Sequence, residues 1–459
     1  MISWPERSST PGHASGRGGA LRALPARKLT KACRFVAAVG LVLLSLPQLR
    51  HPVPAEYAVD RSSDVIKRSY KCHSNMRSLL RHLGRLRSIA AGSMRAAFPI
   101  NPIRNHDMQK ASIIKAVLTA GCVALFALSA PVSADVKLNG SGASFPFPIY
   151  SKWFKDFSKE HKDIRVDYQS KGSGAGIQDL INGTVDFAAS DAAMEDAEIA
   201  KVKQGVVLLP MTAGEIVLIY NLKGVKDLKL SRAAYAGIFS GTITKWNDPA
   251  IAATNPGVAL PDKAITVVTR SDSSGTSYVF SGHLAAISEA FDKAVGKSKQ
   301  PNWPSSGKFV AAPKNDGVTA QVQQNEGAIG YVEYGYAKLT GWKQVAQLEN
   351  KSGNFVAAGP QTGAAALAAS EFPGTTLPNS DVPNLIAWNW DPVGAESYPI
   401  VSYTWMLFYK DQDDAKAAAL RKMVKYGIEE GQKIADSMGY IPLPENVQQK
   451  VLEAAEFIQ

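Results

Sequence analysis

From Asp135 onward the chain alternates between short apolar runs and longer stretches with helical spacing, and small polar residues separate them. Val136-Lys137-Leu138 predicts a strand leading into Gly140-Ser141-Gly142-Ala143-Ser144-Phe145. Aromatics then recur at Tyr150, Trp153, Phe154 and Phe157, the period of a helix with one buried face. Residues 165–169 alternate like a strand and run into Gly172-Ser173-Gly174-Ala175-Gly176, with a helix predicted over 177–181. Residues 185–189 predict a strand that ends at Ser190-Asp191, before an acidic helix start at Glu195. Further strands are predicted over 216–220, 265–269, 328–334 and 400–409, and shorter helices over 234–239, 246–253, 278–287 and 364–370. Residues 350–397 carry more Gly, Pro and Asn and read as loop-heavy. A long amphipathic helix is predicted over 414–438, stopped by Tyr440-Ile441-Pro442-Leu443-Pro444, and a last helix over 445–457. Strand followed by helix, repeated, predicts an α/β architecture with a largely parallel sheet.

Charge changes the picture at the N-terminus. The 459 residues suit two domains and carry a formal charge of +11. Residues 1–107 hold 18 Lys and Arg against 5 Asp and Glu, whereas the rest of the chain holds 33 against 35. The basic surplus therefore belongs to the leader, and the slightly acidic body is poorly suited to nucleic acid. Residues 1–107 are Arg-, Ser- and Pro-rich with one apolar run over 35–49, and read as an upstream extension outside the fold. Met108 opens a short positive start, followed by an apolar run over 116–130 and Pro131-Val132-Ser133-Ala134. Small residues at Val132 and Ala134 predict a signal peptide over 108–134 cleaved after Ala134. The run over 35–49 is a rival signal sequence, and Cys122 after Gly121 leaves lipidation as an alternative.

Composition also limits the chemistry. Cys33, Cys72 and Cys122 all precede Asp135, so the body has no thiol nucleophile, disulfide framework or thiolate metal site. Beyond His106 only His161 and His283 remain, too few for the usual zinc sets or histidine-dependent triads. No catalytic group, metal or cofactor is expected.

The candidate chemistry lies at four strand-to-helix junctions. In open α/β sheets ligands gather beyond the carboxyl ends of strands. A helix N-terminus offers unpaired N–H groups and a positive dipole end, both favourable to an anion. Ser144-Phe145, Ser173 and Ser274-Gly275-Thr276 supply hydroxyls and N–H groups at such junctions, and Arg270 adds a forked cation. Asp272 is spaced to orient that guanidinium. Asp191 is an acceptor among donors; beside an anion it makes sense when the anion carries a proton, as phosphate does at neutral pH and sulfate does not. Taken singly, each junction is an ordinary helix cap and Arg270–Asp272 an ordinary surface ion pair. The set together points to an oxyanion site.

These stretches resemble the periplasmic phosphate-binding proteins of the phosphate-specific ABC transport system. The resemblance rests on Gly140-Ser-Gly-Ala-Ser-Phe-Pro-Phe-Pro148, Thr184-Val-Asp-Phe-Ala-Ala-Ser-Asp191, Arg270-Ser-Asp-Ser-Ser-Gly-Thr-Ser277, Asn315-Asp-Gly-Val318 and Gly327-Ala-Ile-Gly-Tyr-Val-Glu-Tyr334. It implies a two-lobed periplasmic binding protein fold of type II, two α/β domains joined by two hinge strands. Residues 135–213 plus 399–459 would form one lobe and 214–398 the other. It implies that Ser144, Phe145, Ser173, Asp191, Arg270, Ser274, Gly275 and Thr276 bind inorganic phosphate, with Asp272 holding Arg270. Ser144 stands where the family usually has Thr, and Gly174 where a second serine is common. The same resemblance implies a periplasmic monomer that delivers phosphate to an inner-membrane ABC permease. A receptor for another tetrahedral oxyanion and a phosphatase stay open as alternatives.

Overall fold

A computed structural model describes residues 135–459 except Ser306 and Ala369. The expected upstream extension, rival signal sequence, signal peptide and Cys122 lie outside the described residues.

The described chain begins with β1 (Val136–Gly142), α1 (Phe147–Glu160), β2 (Ile164–Ser170), α2 (Ser173–Ile181), β3 (Phe187–Ser190) and α3 (Asp196–Ile199). The long strand β4 (Val206–Tyr220) follows, then β5 (Lys229–Leu230), α4 (Arg232–Ser240), α5 (Pro249–Ala252), β6 (Thr266–Arg270), α6 (Gly275–Ile287) and α7 (Glu289–Ala294). Next come β7 (Phe309–Ala312), α8 (Lys314–Gln324), β8 (Ala328–Glu333), α9 (Tyr334–Thr340), β9 (Gln347–Glu349), β10 (Phe355–Val356) and α10 (Pro360–Leu367). The chain closes with β11 (Val401–Tyr409), α11 (Asp414–Tyr426), a π-helical turn Gly427–Gly431, α12 (Gln432–Met438) and α13 (Glu445–Ala455).

Eight strands run in the order β2-β1-β3-β11-β4-β8-β6-β7. The β2-β1-β3 block is parallel, and so is β8-β6-β7. Between the blocks β11 and β4 run antiparallel to their neighbours. The predicted strand–helix alternation therefore describes both blocks, and the two central strands depart from a purely parallel sheet.

β4 joins the halves. Its Val206–Glu215 portion pairs with β11, and Ile216–Tyr220 pairs with β8. All 15 residues are buried. The apolar pattern alone predicts a strand only over 216–220. Pro210, Gly214 and Glu215 break the apolar run, and Pro210 fits because the β4–β11 ladder slips there: Thr404 pairs with Thr212 but Trp405 with Pro210. A proline in a central strand is tolerated at such a bulge because no ladder hydrogen bond needs its missing N–H.

The predicted helix over 414–438 is interrupted. Trp153 of α1 is the cause. Its indole Nε1 donates to Gly431 O at 3.1 Å, and a Cβ on Gly431 would lie 2.5 Å from the indole ring. Packing a large ring against the backbone widens the turn, as π-bulges do. The aromatic face of α1 is buried as its spacing predicted: Tyr150, Trp153, Phe154 and Phe157. Helices α7, α8 and α9 and the short strands β5, β7, β9 and β10 had no periodic signal strong enough to predict. The 246–253 segment forms helix only over Pro249–Ala252.

Candidate anion-binding site

Each of the four junctions follows the carboxyl end of a strand: β1, β2, β3 and β6. Ser144-Phe145 precedes α1, Ser173 opens α2, Asp191 follows β3, and Ser274 caps α6 by accepting from Ser277 N at 3.0 Å. Gly172 has φ of 97°, a left-handed conformation that favours glycine. A Cβ there would lie 2.4 Å from Asp272 Oδ2. The β2–α2 turn thus packs against the β6–α6 turn of the other half, and Gly174 N donates to Ser273 O at 3.0 Å. Gly275 closes the gap further: a Cβ on it would meet Ser173 Oγ at 2.4 Å and Asp191 Oδ2 at 2.7 Å. Ser173, Asp191 and the start of α6 are therefore in mutual contact.

Arg270 ties the remaining members together. Its side chain is 1% exposed. Nε donates to Asp272 Oδ1 at 2.8 Å and Nη2 to Oδ2 at 2.5 Å, a two-pronged pair. Nη1 donates to Thr276 Oγ1 and Nη2 to Ser144 Oγ, both at 3.2 Å. Burial alone would raise the Asp272 carboxyl; the Arg270 hydrogen bonds and charge, with Lys314 N, outweigh it and hold the carboxyl below its usual range. The spacing that suggested an arginine oriented by Asp272 is matched in this geometry. All eight predicted site residues and Asp272 gather at the facing turns, and none lies elsewhere.

The two serine hydroxyls sit among these groups. Ser144 Oγ accepts three N–H groups, from Arg270 Nη2, Asn315 N and Asn315 Nδ2. Ser173 Oγ accepts from Asp191 N at 3.3 Å. Both hydroxyls thus take part in the polar network of the facing turns, Ser144 with Arg270 and Asn315 and Ser173 with Asp191. Phe145 is buried, with Tyr440 OH donating to its carbonyl at 2.8 Å.

Asp191 is 1% exposed. Thr404 Oγ1 donates to its Oδ1 at 3.0 Å and Thr276 Oγ1 to its Oδ2 at 3.4 Å. Burial pushes its carboxyl up to about 7, while Thr404, the Arg270 charge, Thr276 and Ser173 pull the other way.

Two buried polar residues escaped the sequence reading of roles. Asn315 Nδ2 donates to Ser144 Oγ at 2.9 Å and Thr276 Oγ1 at 3.1 Å, while its Oδ1 accepts from Glu333 N at 3.0 Å. It lies in the Asn315-Asp-Gly-Val318 stretch that carried the resemblance, which was the available signal. Thr404 sits in an apolar strand and gave no signal of its own. Among the described residues no group of His, Cys, Asp and Glu is arranged to hold a metal.

A family model described as a PBP superfamily domain matches residues 129–426. The chain is 37% identical to the phosphate-binding protein PstS of Pasteurella multocida over 347 residues, 73% of this chain and 94% of that protein. It is 35% identical to the phosphate-binding protein PstS of Xylella fastidiosa strain 9a5c over 326 residues, 70% of this chain and 86% of that one. Among solved structures, the phosphate-binding protein of Stenotrophomonas maltophilia superposes with a TM-score of 0.56 at 21% identity, covering 69% of this chain and 93% of that one. That similarity bears on the fold, which is the two-lobed α/β fold of periplasmic binding proteins. The chain belongs to the PstS phosphate-binding protein family within the PBP superfamily.

Proposed function

We propose that the protein captures inorganic phosphate between its two lobes and delivers it to an inner-membrane ABC permease. The observation that carries this is the gathering of donors around one buried carboxylate, Asp191: Ser173, Gly275 and Thr276 lie against it, and Arg270 links Thr276 to Ser144. Phosphate accepts from the Ser144 and Ser173 hydroxyls, the Arg270 guanidinium and the N–H groups of Phe145, Gly275 and Thr276. Ser274 caps α6 and holds those N–H groups at its start, where the helix dipole favours an anion. Asp191 accepts the proton that phosphate carries. Because Asp272 offsets much of the Arg270 charge, neutral donors hold the guest, and hydrogen bonds to a charged group are worth about 1.5–3 kcal/mol each before costs.

The lobes are residues 135–213 plus 399–459 and residues 214–398, with β4 and the entry to β11 as the two connections. Donors from both lobes favour the closed arrangement by differential affinity. The protein works in the periplasm, after cleavage of a signal peptide at Ala134, as a monomer with no nucleic-acid partner. No helix among the described residues is long and apolar enough to cross a membrane. The cycle breaks no bond. His283, the histidine on α6, has both ring nitrogens engaged, with Trp390 O at 2.7 Å and Tyr235 OH at 2.9 Å, and burial lowers it to about 4. It does not serve Ser274 as a base.

Calorimetric titration of the ligand-stripped protein with phosphate, sulfate, arsenate and molybdate tests the proposal. Phosphate binds tightly, arsenate binds because it also carries a proton, and sulfate and molybdate bind far more weakly. Equal affinity for sulfate, or turnover of a phosphate ester, would overturn it.

A further inference from the structure

Antiparallel pairing sets Trp405 of β11 opposite Ser190 of β3. Continued one step past these last paired residues, the register brings Thr404 beside Asp191. Directly opposed residues bring their side chains within contact distance. At the same point β11 slips against β4, leaving Met211 unmatched between Thr212 and Pro210. The carbonyl of that extra residue accepts from Gln432 Nε2 at 2.9 Å, so the irregularity is hydrogen-bonded. Bulges of this kind re-aim a side chain beside a site. Here the side chain is Thr404, whose hydroxyl donates to Asp191 Oδ1 at 3.0 Å. The opposite oxygen, Oδ2, faces Gly275 and Thr276.

We propose that Thr404 is a positioning residue that sets oxyanion specificity: by holding Asp191 Oδ1 it keeps Oδ2 turned to the guest as a fixed acceptor. The inference rests on the phosphate reading given above. A carboxyl that carries its own proton offers the guest a donor, and one free to rotate loses its fixed acceptor geometry. A fully deprotonated anion such as sulfate then no longer meets a lone acceptor. Thr404 separates the two anions by keeping Asp191 in the accepting state.

The other titratable and charged groups facing Asp191 are one cation, one carboxyl and four phenols. Arg270 is the cation that favours the ionised form. Glu333 and the phenols Tyr150, Tyr168, Tyr336 and Tyr440 are all raised, by burial first. Among the donors to Asp191, Thr404 alone comes from β11, a strand that contributes no other member of the site.

The test compares wild type, Thr404→Val and Thr404→Ser in the full chain by calorimetric titration with phosphate and sulfate from pH 5 to 9. Valine keeps the shape and removes the donor. The phosphate-to-sulfate affinity ratio falls by about tenfold or more in Thr404→Val, the loss of one hydrogen bond to a charged group. The pH below which discrimination disappears moves upward, because ionised Asp191 has lost a partner, and Thr404→Ser restores both. Added to Asp191→Asn, Thr404→Val has no further effect on the ratio, since coupled residues are not additive. If Thr404→Val does not fold, Thr404→Ala and Thr404→Ser give the same comparison. A wild-type ratio and pH profile in the hydroxyl-less variant sink the inference while leaving the phosphate reading intact. A wild type that does not prefer phosphate sinks both.

Discussion

Lys299 Nζ lies 2.7 Å from Glu198 Oε1, with the side chains only 17% and 15% exposed, and the pair spans the two halves of the sheet. Glu198 is in α3, after β3, while Lys299 lies between α7 and β7. Lys299 also lends its carbonyl to Ser274 N at 2.8 Å, so the bridge is anchored beside the turn that opens α6.

An ion pair across two bodies that close on a ligand slows reopening. Partial burial shields it from salt, yet its worth stays near the upper end of the surface range, about 1 kcal/mol. Glu198→Gln is expected to raise the phosphate dissociation rate roughly fivefold and leave the association rate nearly unchanged. Stopped-flow measurement decides it, and the reversed pair Glu198→Lys with Lys299→Glu recovers the slow rate. A dissociation rate indifferent to Glu198→Gln removes the latch role.

Asp191→Asn separates the two consequences of burying a carboxylate. The asparagine offers a donor where a lone acceptor stood, so the phosphate-to-sulfate ratio drops. Stability moves the other way. The folded-state carboxyl is raised to about 7 by burial, so its contribution is full below the ordinary carboxylate range and is lost as pH climbs to about 7. Ligand-free wild type therefore loses a few kcal/mol, in order of magnitude, between about pH 4 and 7 that the variant keeps. Denaturant melts of both at pH 4.5 and pH 8 check this; equal differences at the two pH values contradict it.

Gly275→Ala probes how closely the lobes approach. The added methyl would meet Ser173 Oγ at 2.4 Å and Asp191 Oδ2 at 2.7 Å, both on the facing half. Overpacking of this kind costs about 1–3 kcal/mol, or roughly 5- to 150-fold in affinity. The cost falls on closure and not on folding, so phosphate affinity drops while the ligand-free melting temperature holds. A lowered melting temperature with unchanged affinity would place the strain inside one lobe.

The residues that donate from strand ends were legible because each sits in a short turn where glycine, hydroxyls and charge are concentrated. Ser144, Ser173, Asp191 and Arg270 needed no knowledge of which turns meet. Asn315 and Thr404 did. Asn315 lies in the first turn of α8, whose first N–H groups serve Asp272 on the same half and Ser144 on the facing one. Thr404 reaches Asp191 only through a register between strands more than 200 residues apart in sequence. Likewise, the first half of β4 was hidden by Pro210, which a strand accepts only where a partner has slipped, and the interruption after Tyr426 by an indole from α1. Local pattern carries what a turn contains; it does not carry what packs against it.

Glu333 ends β8, opposite Ile216 where β4 passes between the halves, and is fully buried. Its Oε1 accepts from Gly335 N at 2.8 Å, while Oε2 has no hydrogen-bond partner among the described residues. Burial raises the carboxyl well above its usual range, and Glu215 and Asp191 add to the effect although Gly335 and Tyr440 oppose it. Glu215, next to Ile216 on β4, is raised by burial in the same way, against its bond from Thr362. A raised folded-state value means that each glutamate stabilises the fold most at low pH and loses that contribution as pH rises through the folded-state value. Glu333→Gln keeps the shape, cannot ionise and supplies a permanent donor. The variant is expected to melt at nearly the same temperature as wild type at pH 5 and at a higher one at pH 9. Thermal melts across that range test it, and variant and wild-type curves that stay parallel would show that Glu333 does not ionise on approach to alkaline pH.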